Sequence, residues 1–315
     1  MDDVCVIIVS HNGKRWLDGA LRTLFAHAGA LALDVVVVDN GSDGSAAYVE
    51  ERFPGVRTIV CANRGFGAAN NVGLATADAR YVLFLNPDTE FLEGSLEDLV
   101  RALDRRPHVG LAGVRQVGGR GQLAPSIRRF PSVRNMLAEA LGVERLPFFR
   151  YLLGERVLAP AAYERETSCD WTSGSFMLAS REALEGQAFD ERFFLFSEET
   201  DLCWRLKEEG REVIHLPLLT IRHFESERSA TPLMEGQAAY ARLQFARKHF
   251  AWAGPYRLAM VLRYALRARR PSARAALEVA LEEEPPLPLA RPPIQATTVS
   301  APGTTRSSIR SRSPM

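Results

Sequence analysis

Cysteine is scarce in this sequence, and the cysteines show no pairing pattern. Only four occur in 315 residues, and no two of them form a Cys-x-x-Cys motif. Disulfide frameworks need sets of closely spaced cysteines, whereas isolated cysteines among apolar residues are typical of reduced thiols in the cytosol. We therefore predict reduced and mostly buried thiols at the four positions, which are Cys5, Cys61, Cys169 and Cys203.

Long apolar runs are also missing. The chain begins with the acidic Met1-Asp2-Asp3, and the apolar run that follows, Val4–Val9, is too short for a signal peptide or a membrane-spanning helix. No later apolar run reaches spanning length. This pattern predicts a cytoplasmic protein.

Neither sign of charge is in excess. Lysine and arginine total 39 and the acidic residues 38, which gives a formal net charge of +1. Nucleic-acid-binding domains usually carry a marked positive excess, so the charge gives no argument for nucleic acid as a partner. A hydrophobic fraction of 46% with 24% charged residues is typical of a soluble globular protein, and 315 residues indicate one large domain with appendages.

The sequence does contain a regular alternation of apolar runs and amphipathic segments. Apolar runs that stop at turn residues are typical of strands buried on both faces, and the segments between them have helical spacing. The resulting βαβαβαβ order within ninety residues predicts an α/β fold with a mainly parallel sheet and helices on both faces. The predicted strands are 4–9, 33–39, 56–61 and 81–85, and the predicted helices are 15–27, with Trp16, Leu17, Leu21, Leu24 and Phe25 on one face, 46–53 and 68–77.

The middle of the chain is less regular. After a predicted helix at 94–105 and a strand near 109–114, residues 115–165 combine glycines with basic and aromatic stretches. We interpret this segment as an insertion over the active face, and a solvated connector with some helix is the alternative. Further on, the predicted elements are a strand at 170–179, a helix at 198–209, a strand pair around 212–223 and a helix at 231–250.

The stretch Tyr81–Glu90, YVLFLNPDTE, contains the acid on which the predicted chemistry depends. Its apolar run stops at Asn86-Pro87-Asp88, and proline cannot continue a strand ladder, so Asp88 falls at the carboxyl edge of the sheet. Open α/β sheets bind ligands at that edge. A carboxylate there suits Mg²⁺ or Mn²⁺, which would hold the phosphates of a nucleotide, whereas the alternative is an ordinary Asx/Pro turn.

Other polar groups follow other predicted strands. Asp39 is either a turn acid at a strand end or an acceptor for the imide N–H of uracil or thymine. Arg64 precedes Gly65 and Gly67, glycines that allow close approach of the backbone to a ligand, so that Arg64 would face phosphate or sugar. His223 is either a structural histidine or the residue that completes an oxygen-rich metal site.

An acidic pair begins the predicted helix at 198–209. Glu198 and Glu199 follow Ser197, and acids in a first helical turn are ordinary because they complement the helix dipole. However, the preceding apolar run Phe193–Phe196 would desolvate a nearby carboxylate and raise its pKa toward that of a useful base. The pair is therefore a candidate for a catalytic base.

Taken together, these segments resemble an inverting nucleotide-sugar glycosyltransferase of family 2, in the rhamnosyltransferase-like branch that builds bacterial polysaccharides. The resemblance spans roughly residues 4–225, in the family's order. It implies a fold of the glycosyltransferase A type (GT-A), a Rossmann-like nucleotide half fused to an acceptor half. The matching segments are VIIVSHNG (6–13), VVVVDNGSDGS (35–45), NRGFGAANNVGLATA (63–77), YVLFLNPDT (81–89), SGSFMLASREAL (173–184) and FDERFFLFSEETDLCWRL (189–206).

The resemblance also implies roles for single residues. Glu199 matches the proton acceptor of the family, with Glu198 beside it as the other candidate. Asp88 matches the last acid of the family's DxD metal motif, and His223 stands where the family often has a metal- or diphosphate-contacting histidine. The acceptor would be contacted by Trp171, Ser173 and Gly174, and the nucleotide-sugar by Ser10, Asn12, Asp39, Asn40, Arg64, Gly65, Gly67, Asn70, Asn86 and Asp88.

Two positions depart from the family pattern. Asn86 replaces the first acid of DxD, which makes the metal ligand set weaker, and Glu199 replaces the usual aspartate, which lengthens the reach of the carboxylate by one methylene. These departures keep open the alternative of a catalytically weak or inactive nucleotide-sugar-binding protein. A nicotinamide-dependent oxidoreductase is a further alternative, but no GxGxxG follows the first strand.

The implied reaction is metal-dependent and inverting. An acceptor hydroxyl attacks an anomeric carbon, a carboxylate takes its proton, and a nucleoside diphosphate leaves. We expect Mg²⁺ or Mn²⁺ as cofactor and TDP-rhamnose as the donor, with a UDP-sugar as the second choice. The expected acceptor is a saccharide or a lipid-linked saccharide in cell-surface polysaccharide synthesis.

The predicted domain organisation has three parts. The catalytic domain covers 1–230, with a nucleotide-binding part at about 1–114 and an acceptor part at about 168–230. A helical extension follows at 231–281, and the tail at 282–315 is expected to be disordered because it is rich in proline, serine, threonine and arginine.

One segment of the extension has the composition of an interfacial helix. Residues 256–270 put Leu258, Leu262 and Ala265 on one helical face and arginines on another. Such a helix suits an enzyme that works on a lipid-linked acceptor at the inner face of the plasma membrane. The alternative is a helix packed on the catalytic domain or in a homodimer.

Overall fold

The chain alternates strands and helices around one large sheet. A computed structural model of the chain describes residues 2–143, 146, 149, 153–184, 188–224 and 231–286. The strands are β1 (Asp2–Ser10), β2 (Leu33–Asp39), β3 (Arg57–Val60), β4 (Ala79–Leu85), β5 (Thr89–Gly94), β6 (Val109–Val117), β7 (Ile127–Arg128), β8 (Thr167–Ser168), β9 (Trp171–Thr172), β10 (Phe176–Ser180) and β11 (Glu212–His223). The α-helices are α1 (Lys14–Ala26), α2 (Ser45–Arg52), α3 (Phe66–Leu74), α4 (Leu96–Asp104), α5 (Val133–Leu141), α6 (Glu198–Glu208), α7 (Pro232–His249), α8 (Gly254–Ala265) and α9 (Pro271–Glu282).

The large sheet is mixed but mostly parallel in its nucleotide half. Its order is β3-β2-β1-β4-β10-β6-β11-β5, with β8 beside β11, and β7 and β9 form a separate two-stranded sheet. The first four strands run parallel, β6 and β11 are parallel to each other, and β10 runs antiparallel between β4 and β6. The predicted α/β fold is therefore confirmed.

The register of the parallel strands makes them end level with one another. Ser10 lies opposite Asp39, and Ile8 lies opposite Leu85, so the loops after β1, β2 and β4 leave the sheet at one edge. Because β10 is antiparallel and Phe176 lies opposite Leu85, the turn that precedes β10 reaches the same edge. Four loops therefore meet there.

Apolar side chains cover both faces of the sheet. In β1, Val6 and Ile8 belong to one buried cluster, which includes leucines of α1 and α4, whereas Cys5 and Ile7 belong to another, with residues of α3 and α6. This alternation follows from the two-residue period of a strand. Helices on both faces are thus confirmed. The four cysteines form no disulfide, and three of them are buried.

The structure differs from the expected strands at three places. The strand expected at 170–179 is divided into β9 and β10 by the turn Ser173-Gly174-Ser175. The expected strand pair around 212–223 is the single strand β11, whose register shifts between Leu216 and Thr220. In addition, β5 follows the Asp88 turn at once, although no strand was expected there; it pairs with β11.

The apolar face of α1 is narrower than expected. Its buried residues, Leu17, Ala20, Leu21 and Leu24, follow the spacing of one helical stripe. Phe25 lies one position outside that stripe and is 45% exposed. Its assignment to the buried face was wrong.

The segment 115–165 packs against two different regions of the protein. β7 pairs with β9 on the acceptor side of the sheet, and α5 packs against α8, where Met136 joins the core of the C-terminal helices. None of the described residues of this segment lines the large cavity presented below. It therefore does not cover that cavity within the described chain.

The C-terminal extension consists of the helices α7, α8 and α9. They enclose a small core of their own with α5, which includes Tyr256, Met260 and Tyr264. A partly buried ion pair at 2.9 Å between Arg242 and Glu155 also connects α7 to the segment before β8.

Among the described helices, none combines the length and the apolar character needed to cross a bilayer. The predicted disordered tail lies mainly at 287–315, outside the described residues, and the predicted domain boundaries stay predictions.

Candidate active site

A cavity of about 1290 Å³ opens at the sheet edge where β1, β2 and β4 end. Its walls come from the segments that follow these strands, from the start of α3, from residues 194–196 and from the end of β11. Six residues that the sequence assigned to the nucleotide-sugar or the metal line it: Asn12, Asn40, Gly65, Asn86, Asp88 and His223.

Sequence reasoning missed several polar residues of the cavity. Lys14 and Arg15 stand in the first turn of α1, and Asp43 accepts a hydrogen bond from the backbone N–H of Lys14 at 2.9 Å. The Lys14 ammonium lies 5.6 Å from the centre of the Tyr48 ring, which also lines the cavity. Two cations directly after the segment SHNG were the available signal, because a helix N-terminus with basic side chains favours anions.

Asp39 holds a loop together. One carboxylate oxygen accepts a hydrogen bond from the N–H of Gly41 at 3.0 Å, and the other accepts from the N–H of Ala46 at 2.9 Å. The side chain is buried and does not line the cavity. The turn role is therefore visible in the structure, and contact with a nucleotide base stays a prediction.

Four other residues assigned to the nucleotide-sugar also lie outside the cavity lining. Arg64 forms an ion pair at 2.5 Å with Glu191 instead of facing the cavity. Ser10 is fully buried, and its hydroxyl lies 2.8 Å from that of Ser45. The remaining two, Gly67 and Asn70, are buried within α3.

Gly65 is required by the contact between two loops. Its φ of +104° is a conformation that other residues rarely adopt, and a Cβ at this position would overlap the carbonyl oxygen of Phe194. The N–H of Phe66 donates to that same carbonyl at 3.0 Å. The apolar run 193–196 is thereby held against the start of α3 and forms one wall of the cavity.

Asp88 and His223 come together although 135 positions separate them in the chain. The Nε2 atom of His223 lies 3.3 Å from Oδ1 of Asp88 and 3.5 Å from the amide nitrogen of Asn86. The pairing of β5 with β11 explains the contact, because His223 stands opposite Thr89. Both side chains are largely enclosed, at 14% and 8% exposure.

This arrangement fits a divalent cation with few protein ligands. The described residues contain no group of three or more His, Cys, Asp or Glu side chains that could hold a metal by themselves. However, Mg²⁺ at phosphate-transfer sites typically uses one or two carboxylates and completes its shell with water and substrate phosphates. A carboxylate and an imidazole on the wall of a large cavity match that type of site.

The two acids of α6 point to different sides. The side chain of Glu198 lies near Gly67 and is 3% exposed, whereas the side chain of Glu199 lies near Gly174, in the turn before β10. The two residues before the pair, Phe196 and Ser197, have φ values of +72° and +65°, a strained conformation that is common at functional sites. Only Glu199 therefore faces the acceptor half.

Burial dominates the electrostatics of the pair. One carboxylate oxygen of each residue is enclosed and has no hydrogen-bond partner within the described chain. Burial, and then the negative charge of Glu199, raise the pKa of Glu198 well above that of an ordinary glutamate. Burial likewise raises the pKa of Glu199. A carboxylate with a raised pKa is a stronger base, which is what proton abstraction at neutral pH requires.

One of the three residues assigned to the acceptor lies near Glu199. A Cβ added at Gly174 would lie 3.8 Å from the Glu199 side chain, whereas the Ser173 hydroxyl lies 3.1 Å from that of Ser175. Trp171 is buried, and its indole N–H donates to the carbonyl of Arg129 at 2.9 Å. The structure thus places Gly174 near Glu199, while the indole N–H of Trp171 is already hydrogen-bonded to the backbone.

Asp201 connects the helix of the acidic pair to α7. Its carboxylate is fully buried and accepts hydrogen bonds from Arg205 at 2.9 Å, Lys248 at 2.5 Å and His249 at 2.7 Å. Asp201 is also one of the acids in the first turn of α6. Asp201 also lies on the side of α6 that contacts the end of α7.

Comparisons with known proteins agree with this geometry. A sequence model described as glycosyl transferase family 2 matches residues 5–159. The chain is similar to an N-acetylglucosaminyl-diphospho-decaprenol L-rhamnosyltransferase of Mycobacterium tuberculosis, with 31% identity over 274 residues that cover 80% of this chain and 87% of the relative. It is also similar to rhamnosyltransferase WbbL of Escherichia coli, with 25% identity over 231 residues, 70% of this chain and 83% of the relative.

Two solved structures share the fold. The mannosyltransferase PcManGT of Pyrobaculum calidifontis, in complex with GDP-Man and Mn²⁺, has a TM-score of 0.54 at 17% identity, with 90% of this chain and 76% of that chain covered. GalNAc-T7 with UDP, GalNAc and Mn²⁺ has a TM-score of 0.57 at 13% identity, with 90% and 54% covered. The predicted GT-A-type fold is confirmed.

The raised pKa of Glu198 predicts a pH-dependent cost to stability. An unfolded glutamate ionises near 4.5, so between that pH and the raised pKa of the folded state the unfolded chain loses its proton first and stability falls as pH rises. Glu198→Gln is always neutral and should raise the melting temperature at pH 8 but not at pH 4, by about 2–4 °C for each kcal/mol recovered.

Thermal unfolding of both proteins from pH 4 to pH 8 measures this difference. Glu51→Gln, at an exposed position of α2, is the control and should show no pH-dependent gain. A Glu198→Gln protein that loses more stability at pH 8 than at pH 4 would contradict the assignment of a raised pKa.

Proposed function

The chain belongs to glycosyl transferase family 2 and is a rhamnosyltransferase-like enzyme, and we propose that it transfers rhamnose from TDP-rhamnose to a lipid-linked saccharide with inversion. A UDP-sugar is the second choice of donor. The observation that carries the proposal is the contact of Asp88 with His223 on the cavity wall, while residues 194–196, which shortly precede the acidic pair, form another wall of the same cavity. The rhamnosyl donor and the lipid-diphosphate acceptor are supported by the name of the mycobacterial relative.

The chemistry assigned to the protein side chains is proton abstraction and positioning. We propose that the acceptor hydroxyl attacks the anomeric carbon while Glu199 accepts the hydroxyl proton, and that the bond to the nucleoside diphosphate breaks in the same displacement. A single displacement inverts the anomeric centre. Glu199 is favoured over Glu198 because its side chain lies beside Gly174 in the acceptor half.

The nucleotide diphosphate would occupy the large cavity. Asp88 and His223 would hold Mg²⁺ or Mn²⁺, which would offset the negative charge of the departing diphosphate. Lys14 and Arg15 add positive charge at the start of α1. Asn86, the neutral departure from the family pattern, lies beside His223 and would support the same group.

The two alternatives from the sequence are less consistent with these findings. Membership in the family argues against a nicotinamide-dependent oxidoreductase. A decayed sugar-binding protein would have no need to keep a carboxylate oxygen of Glu199 buried and without a hydrogen-bond partner in the described chain, because such a group is costly. In an active enzyme, the buried carboxylate would serve as the catalytic base, and that role would account for its cost.

The outer face of α8 is a candidate for peripheral membrane contact. Leu258, Leu262 and Leu266 are 70%, 38% and 59% exposed at four-residue spacing, and Trp252, just before the helix, is 76% exposed. A row of leucines with a tryptophan at its end is typical of interfacial segments. No acidic residue occurs between 236 and 277, which favours anionic lipid.

The inner face of α8 packs on the protein, as in the alternative expected for this segment, and the outer face would remain available for a membrane. Tyr256, Met260 and Tyr264 are buried. From the sequence, Arg263, Arg267 and Arg270 were expected on a second face of an interfacial helix. Instead, Arg263 pairs with Glu139 at 3.0 Å, and Arg267 donates to the carbonyl of the same residue in α5. The positive charge left for a membrane comes from the exposed Arg269 and Arg270.

Replacing the proposed base should slow the chemical step. Glu199→Gln should lower kcat by about 10²- to 10⁴-fold with little change in donor affinity, since the nucleotide cavity is intact. Glu199→Asp should keep substantial activity.

Because burial raises the pKa of Glu199, the wild-type rate should fall as pH drops through a value above the pKa of an ordinary glutamate. Steady-state kinetics against pH measure both effects, and Glu198→Gln serves as the matched control. A larger loss in that control would assign the base to Glu198.

Removing the carboxylate of Asp88 should abolish metal-supported turnover. Asp88→Asn leaves a neutral ligand, and we expect a loss of at least about 10²-fold together with loss of the melting-temperature shift that Mn²⁺ and nucleotide produce. Asn86→Asp should preserve or tighten Mn²⁺ binding. Asp98→Asn, at an exposed position of α4, is the control. Near-normal activity of Asp88→Asn at low metal would refute the site.

The membrane contact can be tested by vesicle flotation. Leu258→Glu combined with Leu262→Glu should abolish binding to vesicles that contain anionic lipid, because two charges would enter the apolar interface. Phe25→Glu changes an exposed apolar residue on α1 and should bind like the wild type. The proposal fails if the wild-type protein stays unbound with and without anionic lipid at low salt.

A further inference from the structure

Two arginines lie opposite each other close to the acidic pair. In β7, Arg128 pairs with Trp171 of β9 on one side, and on the other side it forms an antiparallel bridge with Arg156. Residues directly opposite in an antiparallel pair project to the same face, and like charges in such positions repel each other. Two guanidinium groups at one such position would be stabilised by an anion between them.

The negative charges of Glu155 and Glu199 act on Arg128, but it forms no ion pair within the described chain. Its Nε atom is buried and has no hydrogen-bond partner within the described chain. Its guanidinium carbon lies 5.3 Å from the centre of the Trp171 ring, and it forms no ion pair with a described carboxylate. The nearby Glu155 pairs with Arg242 instead. Burial, and then the like charge of Arg156, lower the pKa of Arg128.

A guanidinium whose Nε is buried without a hydrogen-bond partner is unfavourable, and a bound anion would offset that cost. Proteins usually pair charged groups that are taken out of water. Arg128 is only partly enclosed, which leaves its guanidinium accessible to a bound molecule. The indole of Trp171 underneath holds the guanidinium by a cation–π contact and would fix its plane for an incoming anion.

The position of Arg128 separates it from the nucleotide. It is absent from the residues that line the nucleotide cavity. The strand β9 that pairs with it continues into the turn 173–175, where Gly174 lies near the side chain of Glu199, and the positive charge of Arg128 favours the ionised form of that carboxylate. An anion at Arg128 would therefore lie on the acceptor side of the base.

We propose that Arg128 and Arg156 bind the diphosphate of the acceptor, in a substrate that carries its saccharide on a lipid diphosphate. This inference rests on the proposed function. Guanidinium groups match phosphate oxygens by paired hydrogen bonds, so two of them suit a diphosphate better than a neutral glycan. The site would thereby select a saccharide that is still attached to its lipid carrier and reject the free sugar.

Acceptor kinetics with a matched pair of substrates test the proposal. One acceptor carries the saccharide on an alkyl diphosphate, and the other carries the same saccharide as a neutral alkyl glycoside. For the wild type, KM should be lower for the diphosphate, and Arg128→Gln should raise that KM by about 10- to 100-fold, which removes most of the preference. Arg128→Lys should recover part of it. Arg134→Gln, an exposed arginine of α5, is the control and should behave like the wild type.

Three results would overturn the proposal. An equal loss for both acceptors, together with a shift of the acidic limb of the kcat profile, would mean that Arg128 acts on Glu199. A rise in the donor KM would assign Arg128 to the diphosphate of the nucleotide. An unchanged preference in Arg128→Gln would exclude Arg128 from recognition.

A binding measurement separates this inference from the proposed function. Calorimetry with an alkyl diphosphate that lacks a saccharide, in EDTA and with the nucleotide cavity filled by a nucleoside diphosphate, requires no turnover. The wild type and Arg134→Gln should bind it more tightly than Arg128→Gln and Arg156→Gln. Equal binding by all four would overturn the inference, whatever sugar the enzyme transfers.

Discussion

The level ends of three parallel strands are the constraint on which the site depends. Because Ser10 lies opposite Asp39 and Ile8 opposite Leu85, the loops after β1, β2 and β4 leave the sheet at one edge. A slip by one residue would turn every side chain of a strand to the other face and would bury polar loop residues. The apolar clusters on both faces prevent that slip. The cavity at this edge is therefore a consequence of core packing.

The acidic pair carries a cost that other parts of the fold offset. Glu198 is almost fully enclosed, and the two residues before it have left-handed backbone angles. Such a conformation persists only where its surroundings hold it. Here the apolar run before the pair is bound to the start of α3 through Phe66, and Asp201 is bound to Lys248 and His249 of α7. The family match ends at residue 159, so the first support lies partly outside it and the second lies entirely outside it.

Much of the fold and part of the site could be predicted from the sequence. The strands β1, β2 and β4 were found within about two residues because each is an apolar run that ends abruptly at turn residues. The position of Asp88 at the carboxyl edge of the sheet, where it lines the cavity, could be predicted because a proline turn follows such a run. By contrast, β5 and the division of β9 from β10 were not found, since short strands at a sheet edge depend on their partners more than on their own pattern.

The sequence by itself determined the fold class, the family and the chemical types at the site, because these follow from local patterns of apolar, turn and acidic residues. Only the tertiary structure decided which of those residues meet. It brought His223 to Asp88 through the pairing of β5 with β11, and it turned Glu199 toward Gly174. It also directed Arg64 to Glu191 and left the Nε of Arg128 without a hydrogen-bond partner in the described chain. The physical reason is that contacts between residues distant in the chain are set by strand pairing and by the balance of buried charge, and neither leaves a periodic signal in the sequence.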